Sequence, residues 1–530
     1  MAELLDFGKR MRAGAMWIYA LGWFEAAVQF ASGIVLARIL DPADFGVFVA
    51  AMSYSAIVLA QVRFGIYSSL MQSKSVDDDQ WNSAFWFIYL MAFLCTIGMV
   101  VIALLSSPSY DDSRYVWIMM LSCVNYFFIP FQTINGTMLR RKLAYGAISH
   151  IQIIALLVTT AFSITGACVG MGPFSLVGGG IVGSVVSTIL LYRIAPWYPR
   201  LAFSWRSLKP LLRYGGRLHL NNSLYMLSGR VDNMIIGATN GMADLGIYNR
   251  AFNLSRTPLE QVVSRLYELF FVGFSRIQND LRHSILMYRK VLCAMSSAAF
   301  PMLLALLFLA DGFVYHLYGI GWMDCVLPLK IMIVGSFAGL ISTTLGALAD
   351  AQSLAAKETP IATICVGMVI LAVMLGSRWG LAGIAAGIAA VNLILLFLMQ
   401  NMFRKSHIRI GWGMLVGAVY PATLSATVAA GGAWLVAALI GKRLAPDSLA
   451  FMAIVGSMIV SLYASSWLLI VKIDRQNVAL QANAVLLRRA TMALLSRIQS
   501  HTRRQWGEFQ AQTEKRVPTE KHAGPEVDRR

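Results

Sequence analysis

Two stretches decide how this chain is read: Ala43-Asp44-Phe45-Gly46-Val47-Phe48 and Ala243-Asp244-Leu245-Gly246-Ile247-Tyr248. They lie 200 residues apart, with three positions identical and three conservative. Each copy opens the second of two long apolar segments. A helix–loop–helix repeated at that interval predicts a chain of two similar halves. In a membrane protein, two facing halves point to a transporter.

The membrane follows from composition. Hydrophobic residues make up 58% of the 530-residue chain and charged residues 13%, against roughly 25% charged in a soluble domain. About fourteen segments are long enough to span a bilayer. They lie near 14–38, 43–63, 82–105, 113–136, 145–168, 172–195, 211–237, 243–272, 284–310, 324–349, 359–377, 380–403, 412–440 and 448–471. The first is too long for a signal-peptide core and is read as a retained span. The expected fold class is an all-α polytopic membrane protein with about fourteen transmembrane helices. Two pseudo-symmetric six-helix lobes, residues 1–200 and 201–405, precede two further spans at 406–472. Pro196, Pro199 and Pro210 mark the linker between the lobes. From 473 to 530 the sequence predicts a cytoplasmic tail. Its basic amphipathic helix suits the surface of an anionic leaflet, and its polar end reads as disordered.

The net charge of +18 does not imply nucleic acid, because the basic residues are sorted by loop. Twenty-one lie in one alternate set of loops, among them Lys9, Arg10, Arg63, Arg140, Arg141, Lys142, Arg404 and Arg409. The other set holds five: Arg38, Arg114, Arg378, Lys442 and Arg443. The positive-inside rule then puts both termini in the cytoplasm, as an even number of spans requires.

Five arginines remain within the seventh and eighth segments: Arg217, Arg230, Arg250, Arg256 and Arg265. Lys330 stands near the start of the tenth. A charge at the bilayer centre costs roughly 2.5–3.5 kcal/mol. Such residues must line water, pair with acids or reach an interface. Snorkelling suits Arg217 and Arg265, near the segment ends. On the eighth segment Asn249, Asn253, Arg256 and Glu260 share one helical face, which Pro258 interrupts. Two readings stand. One is a cationic vestibule for an anionic substrate, lined by Arg217, His219, Asn222, Arg230, Asp232, Arg250, Asn253 and Arg256. The other is a set of interhelical ion pairs, such as Arg230 with Asp232.

The 200-residue offset sets Arg217 against Trp17, Arg230 against Phe30, Asp232 against Ser32 and Arg250 against Ala50. The first half keeps Glu25, deep in an apolar stretch. Glu25 and Asp232 are candidates for coupling to an ion gradient, and a structural pairing of Glu25 with a second-half arginine is the other reading. The six cysteines have neither metal nor redox spacing. Runs such as Gly178-Gly179-Gly180 and Gly380 to Gly387 lack a following Lys-Ser/Thr, so they read as helix-packing surfaces. No metal site, nucleophile elbow or nucleotide cassette is expected.

Several motifs carry a resemblance. Leu36-Ala-Arg-Ile-Leu-Asp-Pro-Ala-Asp-Phe-Gly-Val-Phe48 resembles the first-loop signature of Wzx-type flippases, which export bacterial polysaccharide repeat units. Arg230-Val-Asp-Asn-Met-Ile-Ile-Gly237, Leu245-Gly-Ile-Tyr-Asn-Arg-Ala251 and Phe274-Ser-Arg-Ile-Gln278 are similar to later motifs of that family. So are Leu139-Arg-Arg-Lys142 and Gly319-Ile-Gly-Trp322. The loop signature makes Asp41, Asp44, Gly46, Asp244 and Gly246 motif positions. The resemblance implies the two-lobed fold of multidrug/oligosaccharidyl-lipid/polysaccharide exporters. It implies a secondary transporter rather than an enzyme, in the bacterial inner membrane, working by alternating access. The cargo would be an oligosaccharide on undecaprenyl pyrophosphate, for lipopolysaccharide or exopolysaccharide synthesis. The drive would be a proton or sodium gradient, with no cofactor. Membrane lipids, a polysaccharide polymerase and glycosyltransferases would be its partners. An arginine-rich second lobe suits a pyrophosphate. A drug or cation antiporter of the same superfold is the alternative, although its cavity calls for acids. A polymerase or ligase would need larger outer loops.

Overall fold

A computed structural model describes residues 2–63, 65–73, 75–257, 259, 281–352, 354–406, 408–440 and 448–473. Side chains of residues 2–20, 214–222, 224, 225 and 228 lie outside that description, as do Glu260, Arg265, the Phe274–Gln278 motif and the tail beyond 473. Among the described residues all regular structure is helical. A bilayer leaves no other choice for a chain without a closed barrel, because each backbone N–H and C=O must be satisfied within its own segment.

The first half contains α1 (Ala2–Ile39), α2 (Pro42–Arg63), α3 (Ile66–Gln72), α4 (Asp78–Ser106), α5 (Arg114–Ser122), α6 (Ile129–Arg141), α7 (Tyr145–Cys168) and α8 (Phe174–Ile194). The second contains α9 (Trp205–Ser228), α10 (Val231–Thr239), α11 (242–257), α12 (Leu281–Leu317), α13 (Val326–Ala351), α14 (Ala355–Gly376) and α15 (Gly380–Arg404). Helices α16 (Trp412–Ile440) and α17 (Leu449–Ile473) follow. Ten stretches among the described residues are long and apolar enough to cross a membrane, and one of them, 357–404, holds both α14 and α15. The expected first, seventh and eighth spans each run into residues outside that description, at 2–20, within 214–228 and beyond 259.

Two segments expected as single spans are interrupted. The fourth tightens to a 3-10 turn at Cys123–Phe128 before Pro130 opens α6. The seventh breaks at Gly229-Arg230, between α9 and α10. The linker is shorter than its prolines imply. Pro210 lies inside α9, where its missing N–H removes one helical hydrogen bond. The extended part is docked on α4: the Arg200 N–H donates to Asn82 Oδ1 at 2.7 Å, and Trp86 Nε1 donates to the Arg200 carbonyl at 2.7 Å.

The glycine runs act as packing surfaces. A Cβ on Gly179 or Gly183 would run into Ser163 or Thr159 of α7, and one on Gly387 would press on Ala372 of α14. These helices approach closely because the glycines have no side chain. The largest buried cluster mixes both halves, with Val47, Ala50 and Ile88 against Ile236, Leu245 and Tyr248. The last two helices attach to the second half through α12, where Trp467 Nε1 donates to Ser297 Oγ at 3.0 Å. The helix ends at the α1–α2 turn are called here the signature end. The ends that carry most basic loops are the basic end.

Candidate functional site

The motifs converge at the signature end. Asp41 precedes Pro42, the first residue of α2, a position where proline's missing N–H costs nothing. The equivalent α10–α11 turn runs through Gly241, whose φ of 94° favours glycine. The two turns then cross. A Cβ on Gly46 would overlap the Met242 carbonyl, and a Cβ on Gly246 would overlap the Pro42 carbonyl. These contacts are reciprocal under the 200-residue offset: 42 answers 242 and 46 answers 246. The echo read from sequence is therefore a pseudo-twofold crossing of α2 and α11.

Other contacts between the halves close this end. Arg38 Nε donates to the Leu317 carbonyl at 3.0 Å, and its Nη2 donates to the His316 carbonyl. These oxygens end α12 and have no helical partner, so a residue of the first half caps a helix of the second. Trp322 Nε1 donates to the Ala37 carbonyl at 2.9 Å. Tyr110 Oη donates to the Met234 carbonyl at 3.0 Å. Within the first half, Asp44 accepts from Arg114 Nη1 at 2.7 Å, and Arg114 also grips Asp112 at 2.7 Å. That guanidinium holds the Asp112 carboxyl below the usual carboxylate range.

Beneath this closure lies the polar part of the second half. Asp232, in the first turn of α10, is buried. Tyr248 donates its hydroxyl to Asp232 Oδ2 at 2.8 Å, and the Asn233 N–H donates to Oδ1 at 2.8 Å. Asp232 thus joins two motif segments, and its carboxylate is taken by Tyr248 rather than by a direct ion pair with Arg230. Arg230 is half-buried at the N-cap of α10. Asn233 Oδ1 is buried without a hydrogen-bond partner among the described residues.

Arg250, expected to line open water, is enclosed by aromatic rings. Its guanidinium lies 4.5 Å from the centroid of Phe45, 4.9 Å from Tyr318 and 5.3 Å from Trp322. Asn253 and Arg256 are exposed about one and two turns further along α11. Asn253 donates to Asn249 Oδ1 at 2.8 Å, which keeps the expected polar face, and Arg256 lies 5.0 Å from Phe252. Glu25 is half-buried on α1. Arg217, His219 and Asn222 lie on α9, with side chains outside the described set. Lys330 pairs with Asp311 at 2.5 Å. No cluster of three metal-ligating residues occurs among the described residues. Sequence reading missed the roles of Phe45, Tyr318 and Trp322. Their presence in or beside quoted motifs was the available signal.

A two-lobed helical bundle closed at one end by a pseudo-twofold helix crossing defines a polytopic membrane protein with a transporter fold. The solved structure of the lipid II flippase MurJ, in an inward closed conformation, shares that fold. Its TM-score is 0.64 at 13% identity, covering 85% of this chain and 97% of the other. The chain belongs to the polysaccharide biosynthesis protein family, whose model matches residues 35–327. It is 21% identical to the lipopolysaccharide biosynthesis protein WzxC of Escherichia coli (strain K12), over 72% of this chain and 78% of that one. It is also 21% identical to the teichuronic acid biosynthesis protein TuaB of Bacillus subtilis (strain 168), over 62% and 68%.

Proposed function

We propose that this protein is a flippase that moves a lipid-linked oligosaccharide from the inner to the outer leaflet of a bacterial cytoplasmic membrane. The carrier in this reading is undecaprenyl pyrophosphate, and the glycan serves lipopolysaccharide or exopolysaccharide synthesis. The basic end faces the cytoplasm, with both termini, and the signature end faces out. One observation carries the reading. Motifs of both halves shut one end of the bundle by direct contact, while Arg230 at the N-cap of α10 and Arg250 of α11 stand beneath that closure. Alternating access needs such a seal, and an anionic carrier needs such cations. A proton or sodium gradient drives the cycle, with Asp232 and Glu25 as coupling carboxylates. Arg217, His219, Asn222, Arg230, Asn253 and Arg256 complete the anion path.

Disruption of the gene tests this. The expected result is loss of surface or secreted polysaccharide, with lipid-linked repeat units accumulating in the inner leaflet. Accumulation in the outer leaflet would instead mark a polymerase or ligase, and unchanged polysaccharide would reject the role.

A further inference from the structure

We propose that Arg250 is a cargo-released latch on the sealed end. Rings from both halves hold its guanidinium when the seal is shut, and a phosphate group of the cargo frees it by taking its unpartnered Nη2. The inference rests on the reading of the cargo as a diphosphate-linked glycan.

The neighbouring arginines show what is unusual here. Arg38 is spent on two backbone carbonyls and Arg114 on two carboxylates. Arg250 has neither kind of partner for Nη2, which is buried and makes no hydrogen bond among the described residues. A ring face attracts a cation but does not satisfy all five guanidinium N–H donors. A phosphate offers both charge and acceptors, so it outcompetes the rings. The geometry makes that competition consequential. Phe45 belongs to α2 of the first half, whereas Tyr318 and Trp322 belong to the α12–α13 connection of the second. Gly33 of α1 is also close: a Cβ there would lie 3.4 Å from Nη1. Withdrawing the guanidinium therefore removes a contact shared by both halves one turn beneath the Gly46–Gly246 crossing. The Phe45–Trp322 ring contact, at 5.3 Å, then remains as a weaker tie.

Cys325 supplies a reporter. It is fully buried, in the same α12–α13 connection that carries Tyr318 and Trp322. The full-length chain, with its other five cysteines replaced, is placed in nanodiscs of zwitterionic lipid. Its reaction with a charged maleimide is timed with and without inorganic pyrophosphate. Pyrophosphate is expected to speed labelling about fivefold, the order of effect of an allosteric coupling. Phe45→Leu should raise the rate without pyrophosphate and keep a response to it. Arg250→Gln should raise the basal rate and abolish the response, and Arg250→Lys should restore part of it. The proposal is overturned if Arg250→Gln responds as the parent does, if pyrophosphate has no effect on the parent, or if neither Phe45→Leu nor Arg250→Gln changes the basal rate. Acceleration by anionic lipid alone would make a headgroup the ligand and overturn it too. Basal rates read the latch whatever the cargo, and gene disruption reads the cargo whatever the latch, so the two failures are distinguishable.

Discussion

The two halves begin their crossing helices alike and then differ. Ala50 of α2 is completely buried, while the same register on α11 holds Arg250 in its ring of aromatics. The helix before each crossing differs too. α1 runs unbroken through Gln29 and Phe30, with Phe30 against Phe313 at 6.3 Å. Its counterpart breaks at Gly229-Arg230 and restarts with buried Asp232. The difference teaches which constraint is shared. A crossing at backbone contact needs glycine on both helices, so Gly46 and Gly246 match. The positions beneath the crossing are free of that demand, and only the second half uses them for charge.

The largest expected effect tests whether the crossing is symmetric. Gly46→Leu and Gly246→Leu each force a side chain into a backbone carbonyl of the other half. Both should abolish polysaccharide export with the protein still inserted, as read by immunoblot of membranes. If one is tolerated and the other is not, the pseudo-twofold equivalence fails.

A smaller effect sharpens the contrast between apolar and charged halves. Tyr248→Phe removes one hydrogen bond to buried Asp232 and leaves a buried carboxyl oxygen short of a donor, worth about 1–3 kcal/mol. Thermal unfolding in detergent should show that loss. Ser55 and Tyr126 form the first half's buried hydroxyl pair at 2.9 Å. Tyr126→Phe there should cost about 1 kcal/mol, since neither partner is charged. Equal losses would remove the special status of Asp232.

The smallest effect concerns the rim. Arg114 is partly exposed, so Arg114→Ala should destabilise by no more than about 1 kcal/mol at neutral pH. Its pH dependence has a definite sign. Arg114 lowers the folded-state value of Asp112, so this contribution is complete above the unfolded carboxylate value of about 3.9. It is lost as pH falls through the lowered folded value. Melting curves of the parent and Arg114→Ala should converge only in that acid range.

Much of this was legible in the chain because it depends on local pattern. Long apolar segments in water have one refuge, so membrane helices follow from hydropathy alone. The echo at Asp44 and Asp244 gave the register of the halves, and the glycine runs gave close packing. The second-half location of the charges was equally plain. Pair patterns were not, since Arg230 and Asp232 are neighbours in sequence yet Asp232 meets Tyr248.

By itself, then, the sequence determined an all-helical membrane chain of two related halves, with its cations concentrated in the second. Hydrophobicity and repetition are properties of segments and survive without knowledge of partners. Only the tertiary structure decided that the two signature glycines touch each other's carbonyls, that α12 is capped by Arg38, and that Arg250 is caged. Those contacts join residues tens to hundreds of positions apart, and no local period encodes which side chains will meet where two lobes close.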